Sequence, residues 1–194
     1  MALIYPYNYV SITSSPLSQT QMEHNVDGLI REMVIGRHWT EQALAGMLGN
    51  AQLESSINPG RYQNDVYSPQ GGVGLLQWTP GVNYINWCQE TQTALWSTMD
   101  SAITRVQYEF DNGLQYYPTA AYPLTFAQYV QSTMQPSYLA RAWSFNYERP
   151  AAYDEARAHY ATAWYIYITG HVPIPVPTST PKLNIPLYVG ADLI

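Results

Sequence analysis

Glycines at positions 46 and 49, inside a run that otherwise reads as one helix (TEQALAGMLGNAQLESS, residues 40–56), constrain this chain more than any other feature. Each costs a helix interior about 1 kcal/mol relative to alanine. Two of them so close together predict that another backbone packs hard against this segment, as it would around a central buried helix. Thr40 is placed to cap the N-terminus. Leu44, Met47, Leu48 and Ala51 form an apolar stripe, and Glu54 continues it in the last turn. Met47 and Glu54 are seven residues apart, so at about 100° per residue they point within roughly 20° of each other. A carboxyl there faces inward or into a cleft. Partial burial disfavours its charged form and is expected to raise its pKa, the property needed to protonate a leaving group near neutral pH. On position alone, a glutamate near a helix end is more often a solvated residue. The case for Glu54 therefore rests on the stripe and on the segment that follows.

That segment starts with a turn, Asn58-Pro59-Gly60, with Pro59 fixing φ and Gly60 expected to take the left-handed conformation. Residues 61–71 are polar and read as a loop or short hairpin. Gly72–Trp78 reads as a short strand whose glycines allow close approach of a chain or ligand. Thr79 is then expected as an N-cap, with Pro80 at the first helical position. Helices account for most of the remainder. One spans Ser18 to Val34, with Val26, Leu29, Ile30, Met33 and Val34 on one face and Gly36 ending it. Another covers 80–91. A third begins at Ser97-x-x-Asp100, carries Ile103, Val106 and Phe110 on one face, and ends at Gly113. Two more cover 125–132 and 137–147, and the last runs from Pro150 to Gly170. Residues 1–17 read as an extended segment. Residues 171–194 hold five prolines in 24 residues and read as a polyproline-like arm or linker. The expectation is an α+β, mainly helical domain over 18–170 with a small β-region, flanked by these two segments.

Composition excludes several classes. The chain has 194 residues, enough for one domain of ordinary size, and 46% hydrophobic content is enough for a core. With 8 Lys+Arg, a net charge of −6 and no basic run, nucleic-acid binding is not expected. A single cysteine, Cys88, excludes an internal disulfide and reads as a small buried hydrophobe. The four histidines are scattered without ligand spacing, so no metal or other cofactor is expected. No apolar run reaches membrane-spanning length, and the start MALIYPYNYV lacks a basic n-region and cleavage site, so a soluble chain without a standard signal peptide is expected. Tyrosine, at 18, and tryptophan, at 6, are plentiful. Such rings can stack on sugar faces in a wet groove, although for any single one a place in the core is the better reading.

Gly46-Met47-Leu48-Gly49-Asn50, Gln52-x-Glu54-Ser55, Ile57-Asn58-Pro59-Gly60 and Gly74-Leu75-Leu76-Gln77-Trp78-Thr79-Pro80 stand together in this order. Asn83-Tyr84-Ile85-Asn86-Trp87 and Tyr147-Glu148-Arg149-Pro150 follow. The set resembles the phage tail lysozyme family, in particular the lysozyme domain at the N-terminus of tail-tip wall-degrading proteins of small short-tailed Bacillus-type phages. The resemblance covers roughly residues 20 to 165. It implies a lysozyme-like fold, with helices packed around a central helix, a small β-region and a glycan cleft between them. It also implies cleavage of the β-1,4 bond between N-acetylmuramic acid and N-acetylglucosamine in peptidoglycan. The implied setting is a virion tail acting on the bacterial wall beside other tail proteins. The family's catalytic glutamate falls on Glu54, and its groove-lining segment on Gln77 and Trp78. Tail-tip relatives carry a further zinc peptidase domain, which is not expected here because the Pro-rich segment follows instead.

Glycoside cleavage needs an acid at the leaving oxygen, and either negative charge or a positioned water to meet the oxocarbenium ion. Glu54 supplies the first. Asp65, eleven residues on, is a candidate for the second, although loop aspartates more often serve turn geometry. Asn64 matches the family better at that point and is a candidate substrate contact. Tyr147 and Glu148 are also carried across as candidate substrate contacts. Beside Arg149 and ahead of a proline-started helix, however, Glu148 reads more naturally as half of a structural ion pair or cap. Two alternatives stay open. One is a lytic transglycosylase, in which the sugar's own 6-hydroxyl replaces water. The other is a structural or wall-binding tail component without activity.

Overall fold

The computed structural model describes residues 14–64, 67–91 and 95–170. The extended reading of residues 1–17 falls mostly outside these residues, and the Pro-rich 171–194 segment wholly so. The protein is mainly helical. In chain order the helices are α1 (Gln19–Leu29), α2 (Glu41–Ser55), α3 (Gly81–Glu90), α4 (Met99–Asp111), α5 (Phe126–Val130), α6 (Pro136–Trp143) and α7 (Ala156–Gly170). Helix α1 runs on as a π-helical turn over Ile30–Gly36, and α6 as another over Ser144–Glu148. Ser18 caps α1 with a reciprocal Ser18–Gln21 box. Among the described residues, no helix is long and apolar enough to cross a membrane.

Helix α2 is the centre, packed chiefly on α7 and α6. Thr40 caps it, its hydroxyl accepting from the Ala43 N–H at 3.1 Å. The apolar stripe proves too narrow a description, because every residue from Ala43 to Ala51 is buried, Asn50 included. A helix closed in on all sides is what two interior glycines allow. A Cβ on Gly49 would lie 2.2 Å from the Arg157 carbonyl oxygen and 2.8 Å from the Ala161 nitrogen, both backbone atoms of α7. A Cβ on Gly46 would lie 2.6 Å from the Tyr129 hydroxyl and 2.8 Å from the Leu139 Cβ. Asn50 satisfies its buried amide on the Gly46 and Ala140 carbonyls, each at 3.0 Å, as a polar group in a dry site requires.

Several boundaries differ from expectation for local reasons. The Gly72–Trp78 segment is not a strand. Gly74 (φ +82) and Gln77 (φ 49) turn it back on itself, and Val73 and Trp78 then exchange backbone hydrogen bonds at 3.2 and 2.9 Å. The β-structure among the described residues amounts to two isolated antiparallel bridges, Tyr62–Val73 and Val73–Trp78. Gly60 does not take a left-handed conformation; Ser56 (φ 55) and Ile57 (φ 52) do. Pro80 is itself the N-cap of α3 and follows a cis peptide bond. Thr98, one residue past Ser97, caps α4. The last helix starts at Ala156 rather than Pro150, because the Asp154 carboxylate takes the Ala156 N–H at 2.9 Å.

Candidate active site

Where α2 ends, the helix stack opens into a cleft of about 420 Å³. Glu54 lines it together with Gln77, Trp78, Glu109, Tyr147 and Glu148. Glu54 is set there by the end of its helix. Ser56 closes α2 in the left-handed conformation, and Ile57 repeats that conformation. For a β-branched residue this is an outlier of order 1–3 kcal/mol. It is held on both sides: the Ile57 N–H reaches the Ala51 carbonyl at 3.3 Å, and its own carbonyl accepts from the Asn25 amide at 2.8 Å. The Ser55 hydroxyl donates to the Leu75 carbonyl at 2.7 Å, tying the helix end to the 73–78 turn. The Glu54 side chain is 23% exposed, neither buried nor bathed in solvent. Its Oε1 accepts from Arg157 at 2.6 Å. The same guanidinium donates to Asn50 at 2.9 Å, so its direction is fixed from α2.

The cleft floor is a polar network in an apolar setting. Glu109 on α4 is only 1% exposed. It accepts from Arg105 at 2.7 Å, from the Trp78 indole at 3.2 Å and from the Tyr147 hydroxyl at 2.5 Å. Burial pushes its carboxyl up, and these donors pull it part of the way back. The Trp78 indole also donates to Tyr147 at 3.0 Å, and its ring lies 4.3 Å from that of Tyr84. Gly74 permits this, since a Cβ there would meet the Trp78 ring at 3.0 Å. The Gln77 amide nitrogen donates to the Gly74 and Arg61 carbonyls at 3.0 and 3.3 Å, bracing its own loop.

Glu148 stands at the end of the π-helical turn, whose wide pitch is sealed by the Arg149 N–H bonding back to the Ser144 carbonyl at 2.7 Å. Residues five apart are stacked in such a turn, and the Trp143 indole accordingly donates to Glu148 Oε1 at 3.1 Å. The ion pair expected with Arg149 does not form. Arg149 points to the Gln115 and Asn146 carbonyls at 2.6 and 2.9 Å and over the Tyr117 ring. Burial, then the neighbouring Glu54 carboxylate, push the Glu148 carboxyl up to about 8.

Of the residues singled out in the sequence, Glu54, Gln77, Trp78, Tyr147 and Glu148 come together around this one cleft. Trp78 and Tyr147 are mostly buried in its wall. Asn64 is exposed, with φ 66, and is not among the lining residues. Asp65 lies outside the described residues. Glu109, Arg105 and Arg157 join the site without a sequence signal that points to them. Arg105 and Glu109, four apart on a helix, read in sequence as a surface pair, and nothing local marks Arg157 as the partner of a residue 103 positions away.

A mainly helical domain whose central helix ends in a carboxyl at the mouth of a cleft is consistent with a lysozyme-like fold. The chain belongs to the phage tail lysozyme family, whose model matches residues 26–168. Morphogenesis protein 1 of Bacillus phage B103 is 36% identical over 156 residues, which is 79% of this chain and 42% of that protein. The chain thus spans less than half the length of that relative.

Proposed function

We propose that this protein is a tail-borne muramidase that cuts the β-1,4 bond between N-acetylmuramic acid and N-acetylglucosamine, with Glu54 as the acid at the leaving oxygen. The observation that carries this reading is a carboxyl only 23% exposed, aimed into a polar cleft by a strained helix end. Family membership supports a lysozyme-type reaction and a place in a phage tail. In the reaction, the glycosidic oxygen takes a proton as its bond to the anomeric carbon breaks. Negative charge in the cleft meets the oxocarbenium ion, and water then adds to that carbon. Arg157 steadies the Glu54 carboxylate left behind.

A second reading has its own support. The relative is named for morphogenesis, which favours an assembly role for a domain that has kept the fold without the activity. Mass spectrometry of peptidoglycan digested by wild type and Glu54→Gln separates the possibilities. New reducing ends that appear with wild type and vanish with the variant support the muramidase. Ends one water lighter assign a transglycosylase instead. Equal, negligible release by both proteins leaves the assembly role.

A further inference from the structure

Arg157 is poorly served where it stands. Its side chain is only 7% exposed, and its Nε is buried with no hydrogen-bond partner among the described residues. An orphaned buried donor is costly, and an ion pair taken out of water is weak support for a fold. What the residue gains lies at the two ends of its fork. Nη1 donates to Asn50 Oδ1 at 2.9 Å and Nη2 to Glu54 Oε1 at 2.6 Å. Asn50 and Glu54 stand about one turn apart on α2. A rigid planar guanidinium spans that gap, whereas the single ammonium of a lysine does not. Asn50 is fixed in turn. It is fully buried, and its amide nitrogen donates to the Gly46 and Ala140 carbonyls at 3.0 Å each. With both amide hydrogens taken, the Asn50 oxygen has one direction left, toward Arg157.

We propose that Asn50 is a positioning residue for the candidate acid, acting through Arg157 to reserve Glu54 Oε1 as an acceptor and leave Oε2 to hand the proton to the sugar. The proposal rests on the muramidase reading and adds to it the atom that gives the proton and the residue that selects it. A guanidinium offers donors only, so the oxygen it holds presents no proton of its own. Oε2 has no partner among the described residues, on a side chain that is 23% exposed and lines the cleft. When the glycosidic bond breaks, the proton on Oε2 goes to the leaving oxygen, and the negative charge left on the carboxylate is met at Oε1 by Arg157. The brace runs from α6, through the Ala140 carbonyl, to Asn50 on α2, to Arg157 on α7 and back to Glu54 on α2. It thus draws on all three helices of the stack. A carboxyl free to turn about its own bonds would present either oxygen, whereas this one is held in a single presentation, which is what proton delivery to one bond requires.

The test compares wild type, Asn50→Leu, Arg157→Lys and the double variant in the full chain. It measures kcat and KM on soluble, uncross-linked glycan strands at equal folded concentration, beside nitrogen-15 NMR of the Arg157 guanidinium. In wild type the terminal N–H signals of Arg157 are expected to be separate, because a fork held at both ends turns slowly, and in Asn50→Leu they should merge. Asn50→Leu should lower kcat about 10- to 100-fold with KM unchanged. Arg157→Lys should do the same, and adding Asn50→Leu to it should cost kcat nothing further. Kinetic losses that multiply in the double variant overturn the proposal, as does an Asn50→Leu protein that melts earlier but keeps wild-type kcat. Should Asn50→Leu fail to fold, merged signals in wild type or an undiminished kcat in Arg157→Lys overturn it equally. A wild type that cuts nothing, yet shows separate signals that merge in Asn50→Leu, supports the brace and overturns the muramidase reading instead.

Discussion

Helix α2 belongs to two regions held together by different means. In the stack with α6 and α7, contact is made by leaving side chains out: Gly46 and Gly49 bring backbone and ring atoms to distances no Cβ tolerates. In the cleft, the helix end is held by charge and hydrogen bonds, Arg157 donating to Glu54 and the Ser55 hydroxyl to the Leu75 carbonyl. The stack is unforgiving of volume and indifferent to pH. The cleft holds the ionisable groups and so answers to pH. The contrast shows how one helix serves as both a packing core and a chemical platform: the tolerance needed for ionisable groups is confined to its last turn.

The largest expected effect tests the stack. Gly49→Ala places a methyl 2.2 Å from the Arg157 carbonyl oxygen, an overlap that backbone must relieve, at a cost of about 3 kcal/mol. A urea midpoint equal to wild type would break the claim that the stack closes by backbone contact. Next is the cleft: Glu54→Gln should reduce peptidoglycan cleavage by about 100-fold while the far-UV circular dichroism spectrum stays unchanged. Loss of fold along with activity would erase the distinction between the regions. Tyr147→Phe removes the hydroxyl that bonds Glu109 and Trp78 and should cost about 1–3 kcal/mol, read by thermal or urea unfolding.

Stability should also depend on pH in the direction set by the cleft. The folded protein holds the Glu148 proton more tightly than the unfolded chain does. From its ordinary value of 4.5 up to about 8, unfolding therefore releases a proton, and stability declines as pH rises. Glu109, raised by burial, acts in the same sense. Glu148→Gln should flatten this decline, and an unchanged slope would remove Glu148 as its source. The smallest effect provides a control outside both regions. Gly113 has φ +62, and a methyl added there would meet nothing within 4 Å. Gly113→Ala should therefore cost only the left-handed backbone preference, about 1 kcal/mol in the same unfolding measurement.

The stack is the legible part of the sequence. A cap at Thr40 and glycines at 46 and 49 have local meanings that tertiary structure cannot easily reverse, and they predict the buried central helix. Glu54 is legible for the same reason, since helical periodicity fixes its direction. The 72–78 segment reads as a strand but folds as a turn, because Gln77, a residue with ordinary strand tolerance, takes a left-handed φ that no propensity announces. The start of α7 is displaced from Pro150 because a proline is a visible signal, whereas the Asp154 cap that sets it is one aspartate among many. Glu148 stands out in the sequence, but as a partner for its neighbour Arg149. Its true setting depends on a five-residue turn that brings Trp143 to it, and spacing rules for an α-helix do not foresee that.

Arg157 takes part in both regions with different atoms, its carbonyl closing on Gly49 and its guanidinium grasping Glu54. The last helix is thus joined to the candidate acid with no intermediary. On the muramidase proposal, whatever loosens that helix should also release Glu54, and the inactivation curve is expected to overlay the melting curve.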